Sequence, residues 1–282
     1  MPATPPHTSP AGNEGSTGEL REDRYLGDRD LTRWTSPVGR WLAATVHRIS
    51  RLLGPHHALV LLLVFGAGIA STMTWLASET YEAVTEADGV ALLDHPLLEA
   101  MMGMRSPWLD TATTAYTNIG GVIGMPILAT TLMIALAAWR RSWTPVILIT
   151  AAAAGSLLMT IAGKQLIGRT RPPLAEAVPP YEYSPSFPSG HTLNAAVIAG
   201  IIAYLLLLRH HSKRTRVLIV IGAGVFAFTI GLSRAFLGHH WFTDVLAAWI
   251  LGLGWLAIVI TAHRLYLTAR QREVLTPTTN PR

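Results

Sequence analysis

Long apolar runs alternate with short polar segments along this chain. From His57 the sequence LVLLLVFGAGIASTMTWLA continues for nearly twenty residues, about the number a helix needs to cross a bilayer core of roughly 30 Å. Six such spans can be drawn, at about 57–78, 119–139, 144–163, 191–209, 216–233 and 241–262. None carries a lysine or arginine in its middle, where a charge costs at least about 3 kcal/mol. The pattern predicts an all-α fold, a bundle of six transmembrane helices. Upstream, Trp41, Leu42, Thr45, Val46, Ile49, Leu52 and Leu53 recur at helical spacing, with Arg40, Arg48 and Arg51 off that face. Residues 39–56 are expected to form an amphipathic helix at the membrane interface. Residues 1–38 are rich in Pro, Gly and charge and are expected to be a disordered cytoplasmic tail. The six-span domain would cover 57–265 and a cytoplasmic tail 266–282.

Charge placement orients the bundle. Arg48 and Arg51 precede the first span, Arg140 and Arg141 join the second and third, Arg209, Lys213, Arg214 and Arg216 join the fourth and fifth, and Arg264, Arg270 and Arg272 follow the sixth. These regions fall on one side, which by the positive-inside rule is the cytoplasm, with both termini. The opposite side receives an acidic loop bearing Glu79, Glu82, Glu86, Asp88, Asp94, Glu99 and Asp110, and the connections 164–190 and 234–240. In the acidic loop, Leu97, Leu98, Met101 and Met102 form an apolar stripe, and Pro96 suits a first helical turn.

Composition agrees with a membrane protein. Half of the 282 residues are hydrophobic and only 14% are charged, against roughly 25% in soluble domains. The lack of cysteine excludes disulfides, thiolate catalysis and Cys-ligated zinc. A net charge of +5 fits cytoplasmic loop cations, and no nucleic-acid-binding signature accompanies it. The N-terminus has no early apolar core of the kind a cleavable signal peptide carries.

The outward connections carry the chemistry: Lys164-x6-Arg171-Pro172, Pro188-Ser189-Gly190-His191 and Ser233-Arg234-x5-His240-x3-Asp244. Lys164, Arg171 and Arg234 supply fixed cations against the usual placement of positive charge, as phosphoryl transfer requires. Arginine grips two phosphate oxygens at once, and lysine adds a compact charge. Ser189 and Gly190 open a helix, where unpaired backbone N–H groups bind anions. His240 and Asp244, four apart, share a helix face; the carboxylate can orient the imidazole and leave a nucleophilic nitrogen lone pair. His191 can protonate the leaving oxygen and then activate water. Arg169 lacks such a pattern and reads as a contact to lipid headgroups. His239 reads as a supporting or surface residue. Tyr181, Tyr183 and Phe187 read either as shaping an entrance or as interfacial aromatics.

These three motifs, complete and in order, resemble the signature of the type 2 phosphatidic acid phosphatase superfamily; the resemblance covers roughly 57–262. It implies a metal-independent, cofactor-free acid phosphatase acting through a phosphohistidine. His240 would be the nucleophile, Asp244 its partner and His191 the acid/base, while Lys164, Arg171, Ser189, Gly190 and Arg234 would hold phosphate. Integral-membrane members act on lipid phosphates such as undecaprenyl diphosphate, phosphatidylglycerol phosphate and phosphatidic acid, so the partner implied is a membrane lipid. Two other readings stay open: a phosphotransferase passing the phosphate to a lipid or sugar, and a non-catalytic lipid carrier or sensor. The related vanadium haloperoxidases are typically soluble, which the apolar spans oppose.

Overall fold

A computed structural model describes residues 23–27, 29–53, 66, 68 and 90–275. Their helices are α1 (Pro37–Leu53), α2 (Asp94–Gly103), α3 (Pro107–Thr117), α4 (Gly124–Arg140), α5 (Thr144–Ile167), α6 (Gly190–Leu207), α7 (Lys213–Phe236) and α8 (Phe242–Leu275). A two-residue hairpin, β1 (Tyr25–Leu26) with β2 (Arg29–Asp30), pairs antiparallel before α1.

α5, α6, α7 and α8 are each long and apolar enough to cross a membrane. The span expected at 119–139 is broken: α3 with its 3-10 extension and α4 meet at a bend of 50° and qualify only as a pair. Gly120 and Gly121 lie at that break. The span expected at 57–78 lies outside the described residues except Gly66 and Gly68. Gly66 rests against Ile258 and Trp255 of α8.

α6 is the central helix. Leu193, Ala195, Val197, Ile198, Ile201 and Leu205 bury its faces against α5, α7 and α8, so it carries almost no polar stripe. α7 leaves Val217, Leu218, Val220, Ile221, Val225 and Phe228 exposed, as expected of a helix facing lipid tails. α5 and α8 approach closely at Gly155, where an added Cβ would lie 2.1 Å from the Trp255 ring. Trp255 is pinned there by its Nε1–H, which donates to the Ala152 carbonyl at 3.1 Å. Gly155→Ala is therefore expected to destabilise the bundle by about 1–3 kcal/mol, as overpacking does. Gly254→Ala, a site with nothing within 4 Å, is the control. Thermal unfolding in detergent should show a loss only for the first.

Both expected tails begin further out than their composition implies. Asp23 is buried in ion pairs with Arg140 and with Arg209, the latter at 3.5 Å, and Leu31 joins the main core. Arg264 donates to the Leu31 carbonyl and stacks on Trp34, whose Nε1–H reaches Thr268. Residues 23–36, apart from 28, thus form a cap closing the arginine-rich end, because three arginines there need a carboxylate and backbone acceptors. At the other terminus α8 continues past 266 to Leu275. α1 docks on it through Ala43 and Val46 against Leu265 and Ala269, leaving Trp41 exposed.

Antiparallel packing brings the C-terminal ends of α5 and α7 to the N-terminal ends of α6 and α8. All three motifs meet there, at the end of the bundle opposite Arg140 and Arg209.

Candidate active site

Lys164 stands on the last turn of α5, Arg234 on the last turn of α7, Ser189 caps α6, and Asp244 lies in the first turn of α8. The loop between α5 and α6 supplies Arg171 and folds back over them. Helix periodicity thus places the charges, and the loop closes the pocket.

His240 is fully buried, with one ring nitrogen facing each way. Its Nε2 lies 3.2 Å from Arg171 Nη1. A guanidinium only donates, so Nε2 accepts and the imidazole proton resides on Nδ1. Nδ1 faces Ser186 Oγ at 3.4 Å and Asp244 Oδ2 at 3.6 Å. The Asp244 contact is longer than a hydrogen bond. Ser186 stands between the two, donating its own proton to Asp244 Oδ2. In place of the direct imidazole–carboxylate hydrogen bond expected from the four-residue spacing, a serine bridges the two groups. Burial, then Arg171 and Arg234, hold the His240 imidazole well below its ordinary pKa, so it is neutral and its Nε2 lone pair is free of a proton.

Asp244 has no exposed surface and is heavily coordinated. Trp241 N–H donates to Oδ2 at 3.0 Å, and Arg169 Nη1 pairs with Oδ1 at 2.5 Å. Arg169 also pairs with Asp94 Oδ2 at 2.7 Å. Asp94 in turn accepts from the Thr243 N–H and hydroxyl. This corrects one expectation: Arg169 is an internal clamp rather than a headgroup contact. Its partner Asp94, named with the acidic loop, is a buried anchor. Leu98 of the expected apolar stripe is buried beside it in α2.

Arg171 is fixed by the Ser184 carbonyl at 2.7 Å and the His239 carbonyl. Its Nη2 and Lys164 Nζ share the Ser184 hydroxyl, at 3.1 and 3.0 Å. Lys164 also donates to the Pro185 carbonyl. Arg234 is 1% exposed, and its Nε has no hydrogen-bond partner. Its Nη2 and Arg171 Nη2 both pair with Glu182, the latter at 2.8 Å. Burial opposes the charge on Glu182, but Arg234, then Arg171, outweigh it and hold that carboxyl down to about 2. Ser189 is buried and accepts from the Thr192 hydroxyl at 2.8 Å. The N–H groups that follow it open α6. His191 enters from that helix and lies against the break between α3 and α4; a Cβ on Gly121 would sit 3.1 Å from His191 Nε2.

His239 stands beside Glu182 rather than in the His240–Asp244 pair. Its Nε2–H donates to the Val178 carbonyl at 2.7 Å, and burial, then Arg234, lower its pKa to about 4. Of the three aromatics named from sequence, Tyr181 and Tyr183 are exposed, while Phe187 is buried and cannot line an entrance.

All eight sequence-predicted site residues thus lie at one end of the bundle. Sequence reasoning missed Glu182, Ser186, Arg169 and Asp94. Glu182 carried a signal: it is the lone carboxylate between Ala177 and Pro188, set between two tyrosines. Ser186 had none, because serine is common in loops.

Spanning helices that converge on a cationic pocket with two histidines define a membrane-embedded phosphatase. A family profile described as the PAP2 superfamily matches residues 144–266. Phosphatidylglycerophosphatase B of Bacillus subtilis (strain 168) is 34% identical over 173 residues, 61% of this chain and 83% of that protein. A crystal structure described as the first transmembrane PAP2 type phosphatidylglycerolphosphate phosphatase from Bacillus subtilis matches with a TM-score of 0.59 and 26% identity, over 74% of this chain and 98% of that one. The chain belongs to the PAP2 superfamily.

Proposed function

We propose that this protein hydrolyses a lipid phosphate or diphosphate through a phosphohistidine on His240, without a metal ion, at the outer face of the cell membrane. The observation that carries this reading is the Arg171–His240 contact. A donor-only guanidinium on Nε2 marks that nitrogen as the unprotonated one and aims a phosphate-binding group at the same spot. The similarity to a phosphatidylglycerophosphatase supports a glycerophospholipid phosphate as substrate.

The steps follow from the groups present. Arg171, Arg234, Lys164 and the first N–H groups of α6 hold the phosphate oxygens. His240 Nε2 attacks phosphorus, and the bond from phosphorus to the lipid oxygen breaks. Protonated His191 gives its proton to that oxygen, releasing the lipid product. Asp244, through Ser186 and directly, stabilises the positive imidazole formed. Neutral His191 then takes a proton from water, whose oxygen attacks the phosphohistidine, and the N–P bond breaks to give inorganic phosphate and neutral His240. Three side-chain cations supply the charge stabilisation that a metal provides in other phosphatases.

Two features support the outward location: the pocket lies at the end away from the arginine-rich cap, and lysine and arginine favour the cytoplasmic side. The test is phosphate release in detergent from phosphatidylglycerol phosphate, undecaprenyl diphosphate and phosphatidic acid, each with excess chelator. Turnover of at least one substrate at an unchanged rate is expected. Loss of turnover in chelator would overturn the metal-free mechanism, and turnover of none would overturn the substrate class.

A further inference from the structure

We propose that Glu182 selects headgroups by charge: its carboxylate occupies the seat between Arg171 and Arg234, yields it to a phosphate monoester dianion, and keeps out the monoanionic phosphodiesters of the surrounding membrane. This rests on the reading that those two arginines hold the substrate's phosphate.

The geometry is that of an internal anion in a phosphate site. One carboxylate oxygen pairs with Arg171 Nη2 at 2.8 Å and the other with Arg234 Nη2, the two-point grip arginines give an oxyanion. A third group, His239 Nδ1, stands 4.0 Å from Oε1. The cations are fixed. Arg234 is buried on α7, and Arg171 is tied to two backbone carbonyls. Glu182 is the mobile partner by construction: its side chain is 31% exposed, it lies on a loop, and its neighbours Tyr181 and Tyr183 are exposed as well. It can leave without uncovering the core. Its depressed pKa keeps it charged throughout the working range.

The competition then depends on charge. A phosphodiester carries one negative charge and two free oxygens. It must displace a carboxylate of equal charge that is tethered in place at high effective concentration. It also loses its own freedom and hydration on entry. A phosphate monoester carries up to two charges at neutral pH, because its second pKa is near 6, and it offers three terminal oxygens. Its attraction to the same cations is about twice as large. The carboxylate therefore discriminates by repelling the wrong ligand rather than by improving the right one. A site at the lipid surface needs this, because diester headgroups vastly outnumber any monoester there. The returning carboxylate also competes with the inorganic phosphate product and favours its release.

The test is release of phosphate from dioleoyl phosphatidic acid in neutral detergent micelles, titrated with dioleoyl phosphatidylglycerol as the diester. Glu182→Gln is expected to lower the inhibition constant of the diester by about tenfold or more, a change of about 1.4 kcal/mol. Glu182→Asp, which keeps the charge, should stay within about threefold of wild type. A purely structural role would affect both variants through the rate and leave the diester constant alone. Equal inhibition of wild type and Glu182→Gln overturns the proposal. Should Glu182→Gln not fold, methyl phosphate and dimethyl phosphate serve as soluble competitors of the wild type; the dianion is expected to be at least about tenfold more potent, and equal potency overturns the proposal. Failure of the underlying phosphatase reading is distinguishable, since wild type would then release no phosphate before any competitor is added.

Discussion

His240→Ala is expected to lower kcat/KM for phosphate release by about 10⁴-fold or more, the scale on which enzymes fall when they lose their nucleophile. The large effect follows from position. His240 is the only imidazole whose Nε2 receives Arg171 while its Nδ1 faces Ser186 and Asp244 among the described residues. His239 cannot substitute, because its Nε2–H is committed to the Val178 carbonyl. His239→Ala should accordingly retain a folded enzyme with a much smaller loss. A second readout isolates the chemistry. Wild type mixed briefly with radiolabelled substrate and then quenched in alkaline detergent should hold label that survives alkali and is lost in acid, the character of a phosphohistidine. His240→Ala should hold none. Activity within tenfold of wild type in that variant, at unchanged thermal stability, would refute the assignment of the nucleophile.

What the sequence made legible, and what it did not, divides along physical lines. Hydrophobic periodicity and length set α5, α6, α7 and the start of α8 within a few residues, because crossing a bilayer demands an unbroken apolar run. The motif residues at the ends of those helices converge because successive spans run antiparallel, so Lys164, Ser189, Arg234 and Asp244 reach one level. The bend between α3 and α4 was harder to read. Gly120 and Gly121 lie where a straight span could begin, and at the kink His191 packs against both. Charge-rich segments misled for a different reason. The stretch from Asp23 to Ser36 has the composition of a solvated tail, yet Asp23 is buried because Arg140 and Arg209, over a hundred residues away, need it. Asp94 and Arg169 repeat the lesson at the other end. Composition marks a charge as solvated by default, and only its tertiary partner shows otherwise.

That second pairing carries the largest expected effect on stability. Arg169 places one nitrogen on Asp94 and another on Asp244, and its guanidinium lies over the Trp241 ring at 5.7 Å. The two carboxylates have 4% and 0% of their side chains exposed, so neither can turn to water. Arg169→Met keeps the apolar stem and removes the charge, leaving two buried anions facing each other. Breaking a buried pair from one side costs about 3–5 kcal/mol, more than replacing the whole set by apolar residues. A fall of about 10 °C or more in the unfolding midpoint is expected in detergent. Activity should fall as well, by about a hundredfold, since Asp244 loses the contact that fixes its Oδ1 and the imidazole it orients shifts with it. Asp94→Asn offers the decisive comparison. Combined with Arg169→Met, it removes one stranded charge and should recover part of the stability but none of the activity, because Asp244 stays unclamped. Independent, additive losses in the double variant would mean that Arg169 and Asp94 do not act as a pair, and the clamp would have to be sought elsewhere around Asp244.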